Sequence, residues 1–68
     1  MAKYRVNQIA LSPNYDHEVH KEGCPWWPRE NYIDLSEHPS CHGAVAEAKN
    51  YYSDANGCAT CCSECHRG

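Results

Sequence analysis

Residues 58–68 read CATCCSECHRG and carry four of the chain's six cysteines and one of its five histidines. The task of those sulfurs decides how so short a chain holds a fold. Three chemistries compete: covalent haem attachment, disulfide bonding, and a metal site completed by residues far back in the sequence.

The need for such chemistry comes from the rest of the chain. At 68 residues, a folded domain hides only about 60% of the surface its unfolded form exposes. The aliphatic residues are Val6, Ile9, Leu11, Val19, Ile33, Leu35 and Val45, there is no Phe, and the 41% hydrophobic fraction is swollen by alanines and cysteines. Leu, Ile, Val and Phe together fall below the roughly 20% that, joined to high net charge, marks disorder. The net charge is only -3. Five Tyr and two Trp add area to bury, but a domain of this size still calls for a staple, so the cysteines are read as structural first. With no internal repeat, low-complexity tract or linker, residues 1–68 are expected to form a single small metal-binding domain.

Outward from the tail, the elements are short. Tyr4 to Ala10 is rich in β-compatible residues and precedes the turn signal SPN, which predicts a first strand. HEVH at 17–20 predicts a second, and NYIDL at 31–35 a third, with GCPWWPREN as the loop between them. Period-two geometry sends His17 and Val19 to one face and Glu18 and His20 to the other, so only one of the two histidines can easily face a common site. Ser40 is a preferred N-cap residue, and Cys41, Ala44, Val45, Ala48 and Tyr52 form one helical stripe after it. DANG at 54–57 reads as a stop and a tight turn delivering the chain into Cys58. The predicted class is α+β: a small antiparallel sheet of two to three strands, one α-helix, and an irregular cysteine-rich tail closed by a metal site.

Cys62, Ser63, Glu64, Cys65 and His66 spell C-x-x-C-H, the attachment signature of c-type haem. Seven aliphatics make a poor wall for an apolar macrocycle, and the only Met available as a second axial ligand is Met1. Six cysteines allow 15 disulfide pairings, but the nested C-x2-C spacings of the tail are more typical of metal loops or redox motifs than of staples. The metal reading starts from Cys58 and Cys61, whose thiolates can converge on one ion about 2.3 Å from each sulfur. HKEGC supplies two more donors, His20 and Cys24, around a turn at Gly23. The resulting Cys3His set, His20, Cys24, Cys58 and Cys61, suits Zn2+ in a closed structural site. Cys62 and Cys65 form a second C-x2-C pair, and His66 or Cys41 can stand in for a member of the set. Cys41, on the apolar stripe of its helix, is read as a packed thiol. His17, His38 and His42 are read as solvated or locally hydrogen-bonded, and Trp26 and Trp27 as covering the core from their loop, with a partner surface as the second reading.

DHEVHKEGC, CHGAVAEAKNYY and NGCATCCSECH together resemble a group of short uncharacterised bacterial proteins with an H-x3-C, a helix beginning near a cysteine, and a closing G-C-x2-C. The resemblance covers residues 16 to 66, and it implies no activity. More remotely, the pattern is similar to the zinc module of the Ada DNA-repair protein, where the first ligand of a C-x3-C pair is a methyl-accepting cysteine. His20 holds that position here, which keeps coordination and loses the nucleophile, so methyl transfer does not carry over, and the acidic balance keeps DNA binding from doing so.

The N-terminal stretch MAKYRVNQIALSPNYDHEV has no apolar run of the length an export signal requires, and no segment is long enough to span a bilayer. A cytoplasmic protein is expected, a setting in which cysteine clusters point to metal. The six cations are scattered and outnumbered by nine acids, which disfavours nucleic acid. The leading expectation is a zinc-stabilised binding or adaptor module whose metal is structural and whose partner is another protein. The alternative is a thiol redox or metal-sensing protein using Cys62 and Cys65. No Ser-His-acid arrangement or phosphate loop argues for an enzyme.

Overall fold

Alternation of buried and outward residues begins at the second residue. The computed structural model describes residues 1–9 and 17–66; Ala10, Leu11 and the SPN turn signal lie outside them. Strand β1 (Ala2–Asn7) buries Tyr4 and Val6 on one face. It pairs antiparallel with β2 (Glu18–Lys21), Val6 opposite Val19 and Arg5 opposite His20. On its other side it pairs antiparallel with β3 (Tyr32–His38), Val6 opposite Ile33. The third strand is longer than NYIDL suggested because it absorbs a bulge: Lys3 faces Glu37 and Arg5 faces Asp34, which leaves Leu35 and Ser36 both opposite Tyr4. Ser36 takes a φ of 62° there, and its amide donates to the Asp34 carboxylate at 2.8 Å. That local bond compensates a conformation costly for any residue but glycine.

The sheet has four strands in the order β3-β1-β2-β4, and the fourth corrects the sequence reading. Strand β4 (Asn56–Gly57) pairs parallel with β2, making the sheet mixed rather than antiparallel throughout. Asn56 and Gly57 belong to DANG, whose composition signals a turn. Their backbone instead finds partners on β2: the Asn56 amide donates to His17 O and the Cys58 amide to Val19 O, both at 3.0 Å. Tertiary pairing outweighs local preference at these two residues.

Helix α1 (Cys41–Ala48) covers the face of the sheet carrying Tyr4, Val6, Val19 and Leu35. It is shorter than the stripe implied, since Tyr52 follows it in a turn whose amide donates to Ala48 O at 2.9 Å. Ser40 stands at the N-cap with extended backbone but makes no side-chain capping bond. Packing holds the helix instead: Cys41, Ala44 and Ala48 are buried, and their small side chains let it approach the strands closely. The His38 Nε2–H lies 2.8 Å from both Leu35 O and Glu47 Oε1, tying the end of β3 to the helix. Among the described residues no helix is long and apolar enough to cross a membrane.

The other face is covered by the loop after β2. The Arg5 guanidinium lies between the rings of Trp27 and Tyr32, 4.4 and 3.9 Å from their centroids, and donates to Pro28 O at 2.9 Å. The tryptophan pair therefore divides: Trp27 covers this stack, while Trp26 is 64% exposed. The tail is not continuously helical; a single 3-10 turn (Ser63–Cys65) closes it against α1 and β4.

Candidate metal centre

His20 occupies the position in β2 that alternation turns away from Val19 and the helix, and both residues are fully buried. The strand is thus covered on two faces, by the aliphatic core on one and by sulfur on the other. After Lys21 the chain turns at once: the Cys24 amide donates to Lys21 O at 3.0 Å, and Gly23 takes a φ of 97°. That left-handed step at the third turn position favours glycine, and it folds Cys24 back beside His20. From the other end, β4 docks on β2 and hands the chain directly to Cys58. The Cys62 amide then donates to Cys58 O at 2.8 Å, closing the turn that carries Cys61.

The outcome is a buried group of four, His20, Cys24, Cys58 and Cys61, whose ligand atoms all lie within 4.8 Å of one another. His20 Nδ1 is 3.7 Å from Cys24 Sγ and 3.9 Å from Cys61 Sγ. Tetrahedral zinc with ordinary bond lengths separates a nitrogen and a sulfur ligand by about 3.6 Å, so the group is close to the required spacing. The donor chemistry fits as well: three thiols and one imidazole are the donors a closed zinc-type site uses. A Cys3His group of this kind can hold a metal ion.

Electrostatics point the same way. Burial pushes the Cys61 thiol well above the ordinary range, Cys24 beside it adds to that, and the Lys21 amide, donating to Cys61 Sγ at 3.3 Å, works against it. Burial also raises Cys62 and lowers His20, favouring neutral imidazole. Buried thiolates are costly without a compensating cation, whereas a divalent ion inverts that balance and takes the ionised thiol as its ligand. Two amides already aim at the sulfurs, since Trp26 N–H donates to Cys24 Sγ at 3.4 Å.

A supporting layer escaped sequence reasoning. The Asn7 side-chain amide meets His20 Nε2 at 3.1 Å, on the ring nitrogen opposite the one that faces sulfur. Were an ion held at Nδ1, the ring proton would lie on Nε2, where Asn7 Oδ1 could accept it with the amide turned over. The Glu18 carboxylate, 3.5 Å from Nε2, is a second acceptor of the kind that orients metal-bound histidines. The signal was present in the alternation: Asn7 lies two residues from Arg5, the cross-strand partner of His20.

The remaining cysteines correct two readings. Cys41 is not a free packed thiol: it is disulfide-bonded to Cys65. Cys62 and Cys65 accordingly do not form a free pair, and Cys62 is buried with its sulfur 3.9 Å from Cys61 Sγ. The C-x-x-C-H signature is divided likewise, with Cys65 bonded to the helix and His66 Nδ1–H donating to Gly57 O at 3.0 Å. Of the three disulfides a fully oxidised chain would hold, one is present among the described residues, and Cys24, Cys58, Cys61 and Cys62 are free thiols. The other histidines are locally occupied: His17 stacks on Tyr52 at 3.7 Å and meets the Asp54 carboxylate at 2.7 Å, while His42 is exposed beside Ser40.

No protein-family model, no curated protein and no solved structure matches the chain. Of what the expected resemblance implied, the structure supports a buried Cys/His cluster consistent with a metal site.

Proposed function

We propose that this protein is a small zinc-stabilised binding module, with Zn2+ held by His20, Cys24, Cys58 and Cys61 in a structural role and another protein as partner. The observation that carries this reading is the convergence of one imidazole and three thiols from two distant segments into a group buried beside β2. Four protein donors fill a tetrahedral shell and leave no position for a substrate water, which supports a structural ion over a hydrolytic one. A protein partner is supported by the exposed Trp26 and Ile9, which with Pro28 line a largely apolar groove of about 280 Å3. The acidic balance of the chain offers no basic footprint for nucleic acid.

Native mass spectrometry of protein with the Cys41–Cys65 bond intact tests the metal assignment. One zinc per chain is expected, released by a strong chelator together with the ordered circular-dichroism signal. A metal-free mass six hydrogens below that of the fully reduced chain would mean three disulfides and end the zinc reading.

A further inference from the structure

A second group of sulfur and nitrogen donors shares no residue with the first. Cys41 opens α1, His42 follows it, and Cys65 ends the 3-10 turn packed against that helix. Their ligand atoms also lie within 4.8 Å of one another, although the two sulfurs are joined to each other. Two of its members, His42 and Cys65, line an open cavity of about 280 Å3 together with Val45, Ala46, Lys49 and Glu64, while Cys41 is buried behind them. Unlike His20, His42 faces solvent.

We propose that reduction of the Cys41–Cys65 bond creates a second, exchangeable zinc site of Cys2His composition, with its fourth position open to this cavity. The chemistry runs in two steps. A reductant supplies two electrons and two protons: the S–S bond breaks, each sulfur becomes a thiol, and a dithiol donor closes into its own disulfide. With a phosphine the balance differs only in the donor, which takes an oxygen from water and becomes a phosphine oxide. A divalent ion then displaces the two thiol protons and takes the lone pair of neutral His42. Three protein donors with one position left over is the arrangement of exchangeable and catalytic zinc rather than of the closed structural form. Water fills that position in the simplest case, and Glu64, the carboxylate lining the same cavity, is placed to replace it. The oxidised chain keeps both sulfurs from any ion, so occupancy of this site reports the redox state of its surroundings.

The two sites can be told apart because the second changes a difference rather than a total. Full-length protein is loaded with zinc, desalted and weighed by native mass spectrometry, once with the disulfide intact and once after reduction with a phosphine. The reduced form is expected to carry one zinc more than the oxidised form, whatever the oxidised form carries. In His42→Ala, an exposed position whose loss should leave the fold intact by circular dichroism, the additional ion is expected to bind at least about tenfold more weakly. An unchanged zinc count on reduction overturns the proposal, as does an extra ion that persists undiminished in His42→Ala. Loss of the folded signal on reduction with zinc present overturns it too, because the reduced fold could not then host a site.

Discussion

The two ends of the sheet are held by different physics. At the β1–β3 side, cohesion comes from side chains: Val6 and Leu35 are fully buried in the cluster that includes Ala44 and Ala48, and the two strands pair antiparallel around a bulge. At the β2–β4 side there is scarcely a strand to speak of. Two residues of β4, a single 3-10 turn and five of the six cysteines do the work there. The contrast teaches that a chain with few aliphatics can concentrate its packing where β1, β2 and β3 meet the helix and add sulfur chemistry where the last, very short strand joins.

The sharpest way to break this comparison is to remove one donor. Cys24→Ser should abolish stoichiometric zinc and cost several kcal/mol of stability, since structural zinc contributes on the order of 10 kcal/mol in small peptides. Thermal unfolding beside metal analysis reads both, and a variant as stable as the parent would show the cysteine end to hold itself without an ion. Proton competition is the next largest effect. Burial pushes the Cys61 thiol up, so an ion taking its thiolate must expel a proton and affinity must fall as pH falls. A thiol held well above the ordinary range gives a slope of about one log unit per pH unit across neutral pH. His20, already lowered by burial, adds no slope above about pH 6.5. Competition titrations against a chelator between pH 6.5 and 8 measure this, and a flat profile would exclude thiolate ligation.

Changes on the other side should behave differently. Leu35→Ala empties the largest fully buried position in the core and should cost about 2–5 kcal/mol, while zinc stoichiometry in the folded fraction stays at the parent value. Urea unfolding with parallel metal analysis separates the two. Smallest of the four is Gly57→Ala, where a Cβ would stand 2.7 Å from Cys65 Cβ and 2.9 Å from Cys62 O. The tail must shift to admit it, at a cost of about 1–3 kcal/mol, and the same urea experiment should show Gly57→Ala loosening the cysteine end at constant zinc content. If it instead matches the parent, the docking of β4 on the 3-10 turn is looser than the contacts indicate.

What the residues disclosed follows from how local their signals are. The alternation in β1 and β2 told which way His20 faces, and the small-residue stripe from Cys41 placed the helix, because both patterns repeat within a few residues. The convergence of HKEGC with Cys58 and Cys61 was legible from donor chemistry and spacing. The parallel strand was hidden because Asn56 and Gly57 have turn composition and gain their partners only from β2. The Cys41–Cys65 bond was hidden for a related reason: Cys41 satisfies an apolar stripe and Cys65 a C-x2-C pair, so each sulfur already had a plausible local task. Asn7, whose amide meets His20, carries no motif at all.

The parallel pairing of β4 has a kinetic corollary. The chain must pass through β3 and α1 before Asn56 and Gly57 can reach β2, so this contact has the highest loop-closure cost and is expected to form late and open early. Amides of Asn56 and Cys58 should therefore exchange with deuterium together, and sooner than that of Val6, as one sub-global opening. Each such opening would part Cys58 and Cys61 from His20 and Cys24 for a moment while β1, β2 and β3 stay paired.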